Sequence, residues 1–190
     1  MEGVALQLRF RWNQWILLSL MAALGVVTKP YLRMPFSFVQ TSFGMPVGTF
    51  IGGLYMFWPV LAGRLVPRPG AVLVTCALQG LVAILTGFTG LLGPMAFFSY
   101  LAPGLVIEGL YWAVRRVSPA GVYRLPAMMA AAALGNAAGA LTNALLFFAL
   151  RGAALSLAMG ASMLTGAGGG WLAYLVGARL PRPTAPAAAA

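Results

Sequence analysis

The sequence predicts an all-α integral membrane protein: a compact bundle of six transmembrane helices, with both termini inside and a long first outer loop. Hydrophobic residues make up 61% of the 190 residues and charged residues only 7%, whereas soluble domains carry about 25% charge. A helix needs about 20 apolar residues to cross a bilayer, so the chain has room for about six spans. We expect one transmembrane domain over residues 1–178 and a disordered cytoplasmic tail over 179–190.

The spans are separated by polar connections that are rich in glycine and proline. Ser19 and Ala23 in span 1, and Gly48 and Gly52 in span 2, are pairs of small residues four apart that allow another helix to approach closely. The glycine-rich run 166–170 in span 6 indicates close helix packing rather than a nucleotide loop. The predicted spans cover residues 15–28, 45–65, 71–86, 95–114, 126–150 and 155–176.

The segment 29–43 between the first two spans is polar and aromatic. It holds Pro30 and Pro35, which make it a poor spanning helix. Irregular backbone at membrane depth is tolerated only against protein or a water-filled cavity. We interpret the segment as a long loop that folds over the mouth of a cavity, and an interfacial connector with aromatic anchors is an equal alternative.

The distribution of basic residues predicts the orientation. With the N-terminus inside, nine of the twelve basic residues fall on the cytoplasmic side and three on the outer side. Cytoplasmic loops carry an excess of lysine and arginine, so both termini are predicted to be cytoplasmic. The nine are Arg9, Arg11, Arg64, Arg68, Arg115, Arg116, Arg124, Arg179 and Arg182, and the three are Lys29, Arg33 and Arg151.

Glu108 is the one acidic residue inside a predicted span, since the other acid of the chain is Glu2. A carboxylate in hydrocarbon is costly and marks a functional site by default. We therefore expect Glu108 to have a role in substrate binding or in coupling. The alternative is a structural carboxyl that is protonated, or that pairs with Arg115 or Arg116 about two turns further along the helix.

Amides and aromatic residues supply the rest of the predicted binding site. An aromatic cavity with a few placed polar groups suits the recognition of a small molecule. The buried amides, including Asn136, have a second interpretation as hydrogen-bonding links between helices. The predicted substrate-binding residues are Glu108, Gln79, Asn143, Tyr55, Trp58, Tyr100 and Gln40.

The scarcity of reactive side chains argues against an enzyme. The chain has no histidine, two acidic residues and a single cysteine, Cys76. Zinc, haem or iron–sulfur sites need more ligands than this, and a Ser-His-Asp triad needs histidine. We expect no catalysis, no bound metal and no cofactor. Nucleic-acid binding is also disfavoured, because the arginines are spread over loop ends rather than clustered.

The order and spacing of several motifs resemble a known family of transport proteins. A six-span chain with Ser19-Leu-Met-Ala-Ala-Leu-Gly-Val-Val in span 1 is similar to the substrate-binding S components of energy-coupling factor (ECF) transporters. Within residues 45–117 the chain resembles the YkoE type, which is associated with thiamin and its pyrimidine precursor. The motifs concerned are Arg68-Pro-Gly-Ala-Val-Leu-Val, Gly90-Leu-Leu-Gly-Pro-Met and Gly104-Leu-Val-Ile-Glu108.

The resemblance implies a vitamin importer of a prokaryotic cytoplasmic membrane. It implies that this chain captures thiamin, its pyrimidine moiety or another small heteroaromatic molecule on the outer face. It also implies partners, a transmembrane coupling subunit and two cytoplasmic ATPases, which would use the ATP. In the family a small-residue motif in span 1 contacts the coupling subunit, and Ser19 and Ala23 occupy its positions. The alternative is a self-contained permease or a membrane assembly factor.

Overall fold

A computed structural model describes residues 10–43, 47–88 and 90–180, with the backbone alone described for 33–43, 47–50 and 90–92. Six α-helices form most of these residues. They are α1 (Trp12–Phe43), α2 (Val47–Leu65), α3 (Ala71–Leu85), α4 (Ala96–Val117), α5 (Leu125–Asn143) and α6 (Gly152–Arg179). Short 3-10 turns cover Gly90–Met95 and Gly121–Tyr123, and a wider π-helical turn, Ala144–Phe148, continues α5.

Each predicted span corresponds to one helix, and α2, α3, α4 and α6 begin and end within three residues of the predicted limits. α5 ends at Asn143, seven residues before its predicted limit, and the chain continues as the π-helical turn Ala144–Phe148. Three segments are long and apolar enough to cross a membrane by length and composition: Trp12–Leu32, Gly93–Val117 and Leu125–Phe148. The helix Ala71–Leu85 is apolar but shorter. The six crossings and the cytoplasmic placement of both termini stay predictions.

The segment 29–43 is helical, so the predicted long first outer loop is wrong. It is the C-terminal part of α1, whose 32 residues extend about 48 Å, beyond the roughly 30 Å of a hydrocarbon core. Each proline lacks one backbone N–H donor, which leaves one carbonyl group of the preceding turn without its partner. In membrane helices, groups on neighbouring helices can donate to that carbonyl group instead. The α1–α2 connection is confined to residues 44–46, which lie outside the described residues, as does most of the predicted tail.

Helices that follow one another in the chain run in opposite directions and are joined by short connections. α6 lies against both α5 and α2, α4 lies between α3 and α5, and α1 packs on α2 and α3. The turn before α3 contains Gly70, whose φ of 88° is favourable for glycine alone. With this alternation, α1, α3 and α5 end where α2, α4 and α6 begin. We call this end of the bundle the distal end.

Glycines allow α6 to sit unusually close to its two neighbours. A Cβ on Gly53 would collide with the Thr165 carbonyl group, and one on Gly169 would collide with the Gly53 carbonyl group. Gly166 and Gly170 in the same way face backbone atoms of α5. This confirms the interpretation of the run 166–170 as a close-packing segment.

Candidate functional site

The distal half of the bundle brings together polar and aromatic side chains from four helices around the end of the apolar part of α1. Four of the seven predicted binding residues are among them. We call this group the Lys29 cluster: Thr28 and Lys29 of α1, Tyr55 and Trp58 of α2, Gln79 of α3 and Tyr100 of α4.

The partly buried ammonium group of Lys29 lies against two aromatic rings. Its Nζ is 3.5 Å from the centroid of the Tyr100 ring and 4.9 Å from that of the Tyr55 ring. The negative face of an aromatic ring attracts a cation, and this attraction grows when water is excluded. The Tyr55 hydroxyl also donates a hydrogen bond to the Lys29 carbonyl oxygen, at 3.4 Å. The lysine is thus held between α2 and α4.

Trp58 forms a wall of the cluster whose polar atom is already satisfied. Its indole N–H donates to Thr28 Oγ1 at 3.2 Å, and the Thr28 hydroxyl donates to the Leu24 carbonyl oxygen at 2.8 Å. Phe57 packs on the Trp58 ring edge to face, with centroids 4.9 Å apart. The indole therefore presents a fixed apolar surface.

Gln79 is the most deeply buried polar member of the cluster, with 3% of its surface exposed. Its Nε2 atom has no hydrogen-bond partner among the described residues. The amide lies directly against α1, where a Cβ on Gly25 would collide with it and would also touch Trp58. A buried amide donor without an acceptor is costly unless a ligand or water supplies one.

Glu108 lies outside the Lys29 cluster and pairs with Arg115. Its Oε1 accepts a hydrogen bond from Arg115 Nη1 at 3.1 Å, the structural alternative given above for this residue. On α4, Glu108 is about 12 Å along the helix axis from Tyr100. Its Oε2 is buried and has no partner within the described residues.

The two asparagines link helices, and Gln40 lies outside the residues whose side chains are described. Asn143 accepts a hydrogen bond from the Ser99 hydroxyl at 2.6 Å, which joins α5 to α4 one residue before Tyr100. Asn136 donates to the Ser162 carbonyl oxygen at 2.8 Å and to Thr165 Oγ1 at 3.2 Å, which joins α5 to α6. Both fit the role of hydrogen-bonding links.

Ser19 and Ala23 lie on an open face of α1. Ser19 is exposed and Ala23 partly exposed, while the preceding residues Leu18 and Ala22 are fully buried. The apolar side chains beside the pair, Ile16, Leu20 and Val27, are 65%, 50% and 48% exposed. This face is available to lipid or to another helix.

Sequence reasoning missed Lys29 and Thr28 as members of the site. The signal was present, because a lysine directly after the apolar span 15–28 is unusual at membrane depth. The interpretation of 29–43 as a loop placed the ammonium in water instead. Because α1 continues as a helix, Lys29 lies beside α2 and α4 and not in a loop.

The donor atoms for a metal ion are scarce. Among the described residues, no three of the histidine, cysteine, aspartate and glutamate side chains come together. The chain has no histidine at all. The described groups near Lys29 are instead an ammonium, an amide, hydroxyl groups and aromatic rings, a set suited to an organic molecule.

Comparisons with known proteins give a family for this chain and a solved structure of the same fold. The family model described as "ABC-type cobalt transport system, permease component" matches residues 13–138. A solved structure entitled "Crystal structure of an S-component of ECF transporter" has the same fold, with a TM-score of 0.73 and 23% sequence identity over 90% of this chain and 83% of that chain. A search of curated proteins finds no match. The family match spans about two thirds of the sequence, and the chain therefore belongs to the family of ABC-type cobalt transport system permease components.

Proposed function

We propose that this chain is the substrate-binding S component of an ECF importer in a prokaryotic cytoplasmic membrane. It captures a small heteroaromatic vitamin or vitamin precursor from outside, in the Lys29 cluster at the distal end. The observation that carries the proposal is the cluster itself, where an ammonium and an unpartnered amide stand among three aromatic rings inside a bundle of the S-component fold. The family membership supports a role in transport.

Cobalt, which the family description names, is a poor cargo for these residues. Divalent cobalt binds best to imidazole, thiolate and carboxylate groups. The described residues supply one carboxylate, which is already paired with Arg115, and one buried thiol, Cys76. An ammonium beside the site would repel a divalent cation. We therefore propose an organic substrate.

Thiamin and its pyrimidine moiety, which the YkoE resemblance implies, belong to the candidate set. The thiazolium ring of thiamin is cationic, and in the Lys29 cluster it would meet an ammonium rather than a carboxylate. The pyrimidine moiety carries no fixed charge and fits the aromatic rings better. The YkoE type itself stays a prediction.

The energy for import has to come from other chains, because the sequence has no Walker A pattern. We propose a transmembrane coupling subunit and two cytoplasmic ATPases as partners. The test is coexpression with such subunits from the same genome, followed by purification and uptake assays. We expect one stable complex and substrate uptake that requires ATP. Uptake by this chain alone would support the alternative, a self-contained permease, and a stable complex with no uptake of any solute would support an assembly factor.

The exposed small-residue face of α1 is the proposed docking site for the coupling subunit. Ala23→Leu adds bulk where close helix approach is needed, so we expect the yield of the purified complex to fall several-fold while ligand binding is unchanged. Ala130→Leu is the matched control, since Ala130 is exposed on α5. Equal yields from both variants would move the docking surface away from α1.

The proposed orientation can be tested by cysteine labelling. In a Cys76→Ala background, Arg151→Cys places a thiol in the exposed turn before α6, and Ala120→Cys places one in the exposed turn at the opposite end. We expect a membrane-impermeant maleimide to label position 151 in intact cells and position 120 only after lysis. The reverse pattern would invert the topology and place the Lys29 cluster at the cytoplasmic face.

A further inference from the structure

We propose that Lys29 recognises a carboxylate of the substrate, so that the natural ligand is a small heteroaromatic acid. The inference rests on the proposed function and specifies the charge of the substrate. It follows from the contacts that the described charged groups make in the structure.

Among the described residues no acidic side chain is left for Lys29. Its two acids are Glu2 and Glu108. Glu108 is engaged by Arg115. Glu2 lies outside the described residues. No described carboxylate is therefore available to the ammonium, which can accept an anion from outside the chain.

The aromatic rings compensate the ammonium only in part. Tyr100 and Tyr55 offer it two ring faces, whereas an ammonium has three N–H donors. No hydrogen bond from Nζ to any described residue is present. A charge at membrane depth normally pairs with an opposite charge or a polar group, so this geometry leaves donors for a bound anion.

Gln79 supplies a second unpartnered donor close to the first. Its amide nitrogen packs against Gly25, which is about one helical turn from Lys29 on α1. A carboxylate has two oxygens, so it can accept from an ammonium with one and from an amide with the other. The three aromatic residues of the cluster then lie where they can contact the ring that carries the carboxylate. A phosphate would call for more donors than one ammonium and one amide provide.

The test compares acids with their own amides on the purified protein. Isothermal titration uses pyridine, pyrimidine and pteridine carboxylates, the matching carboxamides, thiamin, hydroxymethylpyrimidine and Co²⁺. We expect one carboxylate to bind at least about 10-fold tighter than its amide, since hydrogen bonds to charged groups are worth roughly 10- to 150-fold in affinity. In Lys29→Met the acid should lose about that factor and approach the affinity of the amide. Lys29→Arg should retain part of the affinity.

The control variant is Arg151→Met, which removes an exposed cation from the same end of the bundle and should leave the affinity unchanged. An equal loss in Arg151→Met would reveal general electrostatic attraction and overturn the proposal. Preference of the wild-type protein for an amide, for thiamin or for hydroxymethylpyrimidine would also overturn it, and would leave the proposed function intact. Binding of Co²⁺ alone, or of no organic compound, would contradict both. The acid-to-amide ratio is measured on the wild-type protein and does not depend on how well Lys29→Met folds.

Discussion

Replacing Gly169 by alanine is expected to destabilise the protein by about 3 kcal/mol or more, whereas the same change at Gly168 is expected to be neutral or stabilising. A Cβ at Gly169 would collide with the backbone of Gly53 on α2. Backbone has little room to move in a packed core, and overpacking costs about 1–3 kcal/mol even where side chains can adjust. The two helices would therefore have to separate.

Gly168 is the matched control, because a Cβ there would meet no described atom within 4 Å. Alanine has a higher helix propensity than glycine, by up to about 1 kcal/mol. Melting curves of the two variants in the same detergent measure the difference. Equal melting temperatures for Gly168→Ala and Gly169→Ala would show that α2 and α6 are not in close contact.

Replacing Arg115 by methionine is expected to destabilise the protein strongly without changing substrate affinity. The change leaves the Glu108 carboxylate buried without its partner, which typically costs 3–5 kcal/mol. Protonation of the carboxyl group would reduce this cost. Because the pair lies outside the Lys29 cluster, titrations of the folded variant should give an unchanged dissociation constant.

A double-mutant cycle measures the interaction energy between Glu108 and Arg115 separately from the other effects of each substitution. Glu108→Gln/Arg115→Met removes both charges, so we expect much of the lost stability to return. Arg116→Met is the control for loss of a basic residue, since the Arg116 guanidinium is exposed and lies 3.5 Å from the centroid of the Trp112 ring. A large loss of substrate affinity in Glu108→Gln, with normal melting, would instead return Glu108 to the binding site.

The sequence was sufficient to predict most of the helix limits and several aromatic members of the Lys29 cluster, because both depend on local composition. Long apolar runs gave the limits of α2, α3, α4 and α6 and the start of α5, and aromatic residues within these runs gave Tyr55, Trp58 and Tyr100. The limits of α1 could not be predicted in this way. Prolines and polar residues favour a loop when the segment is considered alone, and only the neighbouring helices determine whether it stays helical.

The partners of polar residues were harder to predict than the residues themselves. Glu108 and Arg115 are seven positions apart on one helix, so their pairing appeared among the alternatives. Asn143 pairs with Ser99 and Asn136 with the Ser162 carbonyl group, and both contacts depend on how helices distant in sequence are aligned. Lys29 shows the same limit, since its aromatic neighbours come from α2 and α4.

The continuity of α1 has a mechanical consequence. Ser19 and Ala23 face outward on the same helix that carries Lys29 inward, with Ser19 about 15 Å from Lys29 along the axis. Because α1 is one continuous helix, a partner that tilts it against α2 and α3 would also move the Lys29 ammonium away from Tyr55 and Tyr100. Thermodynamic reciprocity then requires that whatever docking does to ligand affinity, the ligand does to docking. Under the proposed function, binding and release of the substrate would correspond to two positions of α1.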